Sequence, residues 1–499
     1  MGKVNDGIAI SSFWNFIMIL FSRLGGLFFV IIIARYLLPE RFGIYNLSIS
    51  ISLILLYFLD SGINQSLLRY VSEALGENNK KLAKANFKYL LKLKLFIALI
   101  LSGLLALIAY PLSYYLFNKP DLFLPIIFSG IYLFFSSFGS FYNSYFYIIK
   151  KVNYLTIKQF LFEVLRISGV LILFTLVSKK YYVIGTIGVL SLTILLSSLY
   201  LIYNLRRLSP YLFEKSDEEV NKKRIIKFFI YMGAMGSLLV VFGYIDTIII
   251  GILLESSYVG FYSAALALTG GIWSFLNIGY ILLPAFTQMK NNDLEISINQ
   301  VFRYTSILAI PSIFGIFVLG NYLIKTIYGP EYLPAVLPFY ILSLLILIVP
   351  LNGVMISLFS AKEKPKYIIN VILASIVLNI VLDIVLIDLF SKISLDTAIA
   401  GAAVATIISE SFYLSGLLIY TKRKLDIKLK PIHLMKPIIS SLIMFSILHF
   451  SISKISEINL LTGALVVIFG AAIYIIAMFI LKGLVREDIQ LIKNLIKKD

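Results

Sequence analysis

Apolar runs of about twenty residues recur along almost the whole chain, and they constrain its fold more than any other feature. A helix needs about 20 apolar residues to cross the hydrocarbon of a bilayer. The sequence therefore predicts an all-α polytopic membrane protein with about 14 transmembrane helices. Their approximate ranges are 9–34, 43–63, 95–117, 122–148, 156–178, 182–204, 227–253, 259–284, 304–327, 334–360, 367–389, 397–421, 434–453 and 459–482. The longest connections, 64–94 and 205–226, are charged.

Composition narrows the chemistry that the chain can perform. Only 14% of its residues are charged, whereas soluble domains average about a quarter. The net charge of +18 is spread in short clusters between apolar runs, unlike a nucleic-acid binder, which collects basic residues on one face of a soluble module. The absence of cysteine excludes disulfides and thiol catalysis. We expect no nucleic-acid partner, no metal site and no cofactor beyond a coupling H⁺ or Na⁺.

The distribution of Lys and Arg predicts the orientation. With the N-terminus inside, 34 of these residues fall in cytoplasmic segments, 8 fall outside, and two lie within spans. Cytoplasmic loops of membrane proteins carry the excess of Lys and Arg. We therefore expect a multi-pass protein of the cell (plasma or inner) membrane with both termini in the cytoplasm.

An internal repeat is visible in ARYLLPERFGIYNLS (34–48) and IGILLESSYVGFYSAA (250–265). At an offset of 217, Gly43 matches Gly260, and the register continues through the pairs Tyr45 with Tyr262, Asp60 with Asn277 and Gly62 with Gly279. The alternative is chance similarity between apolar segments. Six spans separate the copies, which predicts two parallel six-helix repeats around a central cavity, with the substrate site between them. The predicted domains are a first bundle at 1–204, a cytoplasmic linker at 205–226, a second bundle at 227–425, and two further helices with a basic tail at 426–499.

Several motifs resemble a known family. They are ARYLLPERFGIY (34–45), LDSGINQSLLRYVSE (59–73), DTIIIGILLESSYVGFYSAA (246–265), YGPEYLPAVLP (328–338) and AIAGAAVATIISE (398–410). Together they resemble the polysaccharide exporters, which are the O-antigen-type (Wzx-like) and teichuronic-acid-type flippases of the MATE-like MOP superfamily. Leu38 stands where the family often has Gly, and Arg41 where it often has an acid.

The resemblance covers roughly residues 8–425. It implies a fourteen-helix exporter, not an enzyme, that moves polyprenyl- or dolichyl-linked oligosaccharides from the cytoplasmic to the outer leaflet. Its partners would be the lipid-linked oligosaccharide, membrane lipids and glycan-assembly enzymes, and we expect the chain to be a monomer.

Two arginines lie inside predicted spans. Arg23 is near the middle of the first span, where a charge costs at least ~2.5–3.5 kcal/mol. Its planar guanidinium matches phosphate oxygens, so we expect it to face a cavity and bind a lipid diphosphate; the alternative is a structural ion pair. Glu163 and Arg166 share one helix face. They form either a self-neutralising pair or a second cavity cation whose carboxylate neighbour is its partner or a proton site.

Three acids lie within the spans of the second half: Asp246, Asp383 and Glu410. A buried carboxylate can load a proton or hold Na⁺. We therefore expect anion capture in the cationic first half and ion coupling in the second. No P-loop motif is present, so ATP hydrolysis by that route is excluded.

Three alternative functions stay open from the sequence. The first is an ion-coupled MATE-type exporter of small cationic compounds, which two mid-membrane arginines disfavour. The second is a lipid II-type flippase for a cell-wall precursor, which uses the same chemistry with another sugar. The third is a polytopic glycan polymerase or glycosyltransferase, which needs a larger outer loop than any predicted here.

Overall fold

The computed structural model describes residues 2–214, 218–427, 434–452, 460–484 and 488. These residues form fifteen α-helices joined by short turns, without a strand among them. Most of the predicted basic tail lies outside the described residues. The helices are α1 (Gly2–Gly76), α2 (Lys80–Pro111), α3 (Phe123–Ile148), α4 (Val152–Leu176), α5 (Tyr182–Leu208), α6 (Lys222–Leu253), α7 (Ser256–Leu276), α8 (Gly279–Gln288), α9 (Asn291–Ile327), α10 (Val336–Leu342), α11 (Leu345–Ala361), α12 (Pro365–Ser391), α13 (Leu395–Leu425), α14 (Met435–Ile452) and α15 (Leu460–Ile480).

The predicted number of spans agrees with these helices. In the described part of the chain, twelve helices are long and apolar enough to cross a membrane, or thirteen when one bent pair counts as a span. The first, Phe13–Gly76, has 64 residues and a length of about 96 Å, roughly three times the hydrocarbon thickness. It contains two predicted spans, 9–34 and 43–63. The all-helical membrane fold is thereby confirmed.

Helix α1 changes direction at Leu38. Leu38 has φ 61° and ψ 167°, and Pro39 follows it. This backbone region is occupied almost only by glycine, because a Cβ is strained there. The family's frequent Gly at this position, which the motif comparison raised, therefore has a structural reason. A break at Leu38 separates the first span from the segment 39–76.

The predicted connection 64–94 is mostly helical. Helix α1 continues to Gly76 and α2 begins at Lys80, so three residues form the turn. Asn79 caps α2, because its Oδ1 accepts a hydrogen bond from the Leu82 N–H at 2.9 Å. The two spans extend beyond the apolar runs that revealed them, and Lys94 lies within a helix rather than in a loop.

Two spans in the second half of the chain are broken. Helix α7 ends at Leu276 and α8 begins at Gly279, whereas at the repeat-related positions Asp60 and Gly62 helix α1 continues. A Cβ at Gly279 would overlap the backbone of Gly353, so glycine permits α8 to approach α11 closely. The segments Pro330–Leu342 and Leu345–Ala361 form the bent pair, with a 48° angle.

The chain divides into two compact units, Met1–Ser263 and Ala264–Asp499. In the first unit, α1 packs against α2, α3, α4 and α6. In the second, α12 packs on α13, and α9 packs on α11, α14 and α15. The predicted limits of the six-helix bundles, and the cavity predicted between them, remain predictions.

A reciprocal glycine contact joins α1 to α7 in the first unit. A Cβ at Gly43 would overlap the carbonyl oxygen of Ser256, and a Cβ at Gly260 would overlap that of Pro39. Both pairs are related by the offset of 217 found in the sequence. When residue i contacts j and their counterparts contact in the exchanged sense, the pattern is that of a two-fold axis. The contact therefore supports the internal repeat.

Connections predicted to lie on one side of the membrane meet at one end of the first unit. Lys119, between α2 and α3, donates from Nζ to the carbonyl oxygens of Gly251 at 2.5 Å and Leu254 at 2.8 Å, at the end of α6. A cation is favourable at the C-terminal end of a helix dipole. Burial lowers the pKa of Lys119, against the opposing effect of Glu255. This convergence agrees with the predicted alternation of spans.

The last two helices pack on α9 within the second unit. Ile307 and Leu319 of α9 share a buried cluster with Met444 and Leu448 of α14 and Met478 of α15. At the start of this contact, Arg303 forms an ion pair with Asp488 at 2.5 Å and donates to the Gly483 carbonyl at 3.0 Å. Arg303 therefore connects α9 to the segment after α15.

Replacing Leu38 by glycine should stabilise the protein. The substitution removes backbone strain of about 1–3 kcal/mol and costs about 0.5–1 kcal/mol in chain entropy, so we expect a net gain near 1 kcal/mol. Thermal unfolding of the detergent-purified Leu38→Gly variant would measure it. Leu37→Gly is the matched control, because Leu37 is helical and fully buried and its loss should lower stability. A lower melting temperature for Leu38→Gly would contradict the assignment of strain.

Candidate intramembrane charge site

Helices α1 and α4 run side by side and in the same direction through the first unit. Near their starts, the Thr156 hydroxyl donates to the Trp14 carbonyl at 2.9 Å. Further along, the rings of Phe21 and Phe160 pack edge to face with centroids 5.3 Å apart. One turn later, a Cβ at Gly25 would overlap the Glu163 carboxylate. Glycine at this position therefore lets the backbone of α1 approach the charged groups of α4.

Glu163 is the buried acid of this contact. Its side chain is 7% exposed, and its Oε2 forms an ion pair with the Arg166 guanidinium one turn away. Its Oε1 accepts a hydrogen bond from Gln159 Nε2 at 2.8 Å. The i,i+3 spacing thus brings the two charges together on one face of α4, toward α1 rather than away from it.

Arg166 is only partly satisfied by Glu163. Its Nε is buried and has no hydrogen-bond acceptor among the residues that the structure describes. The guanidinium lies over the rings of Phe29 at 4.7 Å and Phe162 at 4.9 Å. A buried N–H without an acceptor is unfavourable by about 1–3 kcal/mol. The site therefore offers an unused donor beside an aromatic wall.

One further buried cation accompanies this pair. Lys158 is 8% exposed; its ammonium lies 5.4 Å from the Phe162 ring centre and interacts electrostatically with Glu163. Arg23 is half-buried and lies two residues from both Phe21 and Gly25, which places it on a different face of α1 from the one that packs on α4. The burial of Lys158 could not be predicted from the sequence. Its five-residue separation from Glu163 gave no clear sign of a shared face.

A second buried charge lies between α1, α2 and α3. The Lys94 ammonium is 1% exposed and pairs with Asp60 Oδ1 at 2.9 Å. It also donates to Asn64 Oδ1 at 2.5 Å and Ser140 Oγ at 2.9 Å. An ammonium has three N–H donors, and here each has an acceptor. We interpret this group as a structural connection of three helices, and the sequence argument missed Lys94 by placing it in a loop.

The three acids of the predicted ion-coupling group have different surroundings. Asp246 is 3% exposed, packs within the first unit and accepts a hydrogen bond from the Tyr262 hydroxyl at 2.9 Å. Asp383 is fully buried on α12, one turn after the buried Asn379. Glu410 on α13 accepts from Asn352 Nδ2 of α11 at 2.6 Å. Their role in ion coupling stays a prediction.

The fold and these buried charges define a polytopic, all-helical membrane protein. The structure is similar to that of "Lipid II flippase MurJ, inward closed conformation", with a TM-score of 0.76 and 17% identity over 95% of this chain and 98% of that one. It is also similar to an inward-facing multidrug resistance MATE family transporter of the MOP superfamily, with a TM-score of 0.62 and 13% identity over 80% of this chain and 94% of that one. At such identities the likeness shows the shared fold.

The sequence identifies the family. The model of the family described as "Polysaccharide biosynthesis protein" matches residues 8–290, more than half of the 499 residues. The chain belongs to this family. No curated protein sequence matches it. The resemblance that the motifs suggested is thereby confirmed.

Replacing Lys94 by methionine should destabilise the protein strongly. The substitution leaves Asp60 in the membrane interior without its cation, and breaking such a buried pair costs about 3–5 kcal/mol. Thermal unfolding in detergent would measure the loss. The double variant Asp60→Asn/Lys94→Met removes both charges and should recover most of it. Equal melting of Lys94→Met and the wild type would contradict a structural role for this group.

Proposed function

We propose that the protein is a flippase that moves polyprenyl- or dolichyl-diphosphate-linked oligosaccharide from the cytoplasmic to the outer leaflet by alternating access. The observation that carries the proposal is the buried Nε of Arg166, which lacks an acceptor although Glu163 occupies another nitrogen of the same guanidinium. A phosphate oxygen is the acceptor that this geometry suits best, because guanidinium groups bind phosphate through parallel N–H donors.

The charge of the cluster supports an anionic head group. Lys158 and Arg166 provide two positive charges beside the single negative charge of Glu163, so this group has one positive charge in excess, and we propose that Arg23, on another face of α1, contributes a second. A diphosphate diester has one ionised oxygen on each phosphate and would neutralise this excess. Small cationic compounds would be repelled, which disfavours the drug-export alternative despite the shared fold.

The partial neutralisation by Glu163 suits a carrier rather than a permanent binder. With Glu163 present, Arg166 already has an ionic partner, so the substrate replaces or shares an interaction when it enters and leaves. Release then costs less than it would from three unpaired cations, because the carboxylate again satisfies the guanidinium. Glu163 and Arg166 would then be a self-neutralising pair without substrate and a cavity cation with its carboxylate partner when substrate is bound.

The proposal includes an orientation in the membrane and residues for energy coupling. We place the protein in the cell membrane with both termini in the cytoplasm, which the 34-to-8 distribution of Lys and Arg supports. Asp246, Asp383 and Glu410 are the proposed sites for a coupling H⁺ or Na⁺. Glycan-assembly enzymes are the expected suppliers and users of the lipid-linked substrate.

Arg23→Ala should slow flipping severely. A hydrogen bond to a charged group contributes about 1.5–3 kcal/mol, so we expect a loss of roughly thirtyfold in rate at limiting substrate. The measurement uses vesicles that contain the purified protein and a polyprenyl-diphosphate oligosaccharide. The rate at which a membrane-impermeant glycosidase gains access to the inner-leaflet pool reports flipping.

Arg207→Ala is the matched control, because it removes the same charge from the exposed cytoplasmic end of α5. It should flip at the wild-type rate. Normal flipping by Arg23→Ala would show that this arginine does not contact the substrate. Wild-type protein that gives no faster access than empty vesicles would contradict the proposed function itself.

A further inference from the structure

A cavity of about 440 Å³ lies in the first unit, away from the charge site. It forms where three helices begin: the segment of α1 after Leu38, α3 and α5. Its lining includes Glu40 and Arg41, Asp121, and Lys180 with Tyr181. Cavities of about 300–1,000 Å³ are typical of small-molecule sites. By the predicted orientation, these helix starts face the outside of the cell.

Charged side chains of both signs surround the cavity without pairing. Glu40, Arg41, Asp121 and Lys180 line it, yet no ion pair or hydrogen bond joins any of their side chains to another residue in the described part of the chain. Donors and acceptors are therefore both available within one small space. The two acids and the two bases cancel in net charge, so the cavity favours neither a simple anion nor a simple cation.

One wall of the cavity is apolar and rigid. Tyr181 is 51% exposed, and Pro120, Phe123 and Pro125 line the cavity near it. The Lys180 ammonium lies 5.8 Å from the Tyr181 ring centre, which leaves much of the ring open. An exposed tyrosine ring offers a flat apolar face with a polar hydroxyl at its edge.

We infer that this cavity is a saccharide-binding site. A sugar ring presents hydroxyl groups that both donate and accept hydrogen bonds. They suit a cavity whose acidic and basic side chains do not pair with one another. The C–H face of the sugar packs on an aromatic ring such as that of Tyr181.

The role of this site rests on the proposed function. If the protein exports lipid-linked oligosaccharide, the cavity binds the sugar portion on the outer side after the diphosphate has crossed. Arg23 and Arg166 would then hold the phosphates, and the cavity would favour completion of transport by retaining the glycan outside. The phosphate site and the saccharide site are distinct groups of residues.

Saturation-transfer NMR on the full-length protein in lipid nanodiscs tests the inference. The probes are soluble N-acetylglucosamine, di-N-acetylchitobiose, galactose, mannose and rhamnose. At least one should receive saturation from the wild type, and its binding should weaken about tenfold in Tyr181→Ala and in Lys180→Ala. Lys179→Ala is the matched control, since it removes the neighbouring lysine, which does not line the cavity.

Two results would overturn the saccharide site: no probe binds the wild type, or Tyr181→Ala and Lys180→Ala bind as the wild type does. Thermal unfolding of each variant checks that it is folded, which we expect because both side chains are exposed. The flipping assay separates the two proposals. Saccharide binding at the cavity without protein-dependent flipping would refute the function and keep the site, whereas flipping without saccharide binding would refute the site and keep the function.

Discussion

An ionised side chain within the hydrocarbon of a bilayer is unfavourable by several kcal/mol unless its polar groups are satisfied, and the first unit meets this constraint in two ways. Lys94 has an acceptor for each of its N–H donors and connects three helices. Arg166 has a carboxylate on one side and a buried N–H without an acceptor on the other. The same physical requirement thus separates a fully satisfied charge from one that we propose to bind a ligand.

The contacts of α1 with α6 and α7 differ in kind at their two ends. Gly43 of α1 and Gly260 of α7 make reciprocal contacts just after the end of α6. In both contacts the glycine meets the backbone of the other helix directly, without a side chain between them. At the other end of these helices, Glu73 and Arg224 form an exposed ion pair at 3.4 Å. One end is therefore stabilised by close backbone packing, and the other by an ion pair that solvent and salt screen. The proposed alternating access would require such contacts to separate and reform, and the ion pair is the less costly of the two to break.

Much of this architecture could be predicted from the sequence because apolar run length and Lys/Arg distribution report directly on membrane crossing. The number of spans and the Gly43–Gly260 register follow from local patterns. The interruption of α7 at Asn277 and the burial of Lys94 could not, because both depend on contacts with helices distant in the sequence. The pairing of Glu163 with Arg166 followed from i,i+3 spacing, whereas the approach of Lys158 and Gly25 needed the packing of α1 on α4. At Leu38 the chain departs from the glycine that is frequent in the family. The positive φ that explains the frequent glycine is visible only in the structure.

If the protein recognises the charge of the diphosphate, a comparison of two head groups should show it. The same oligosaccharide would be attached to polyprenol through a diphosphate or through an uncharged ether, and both lipids would be placed in vesicles with the wild-type protein. The account predicts rapid protein-dependent flipping of the diphosphate form and only the protein-free rate for the ether. Equal protein-dependent rates for the two lipids would contradict it, because recognition would then depend on the glycan or the lipid tail and not on the cationic cluster.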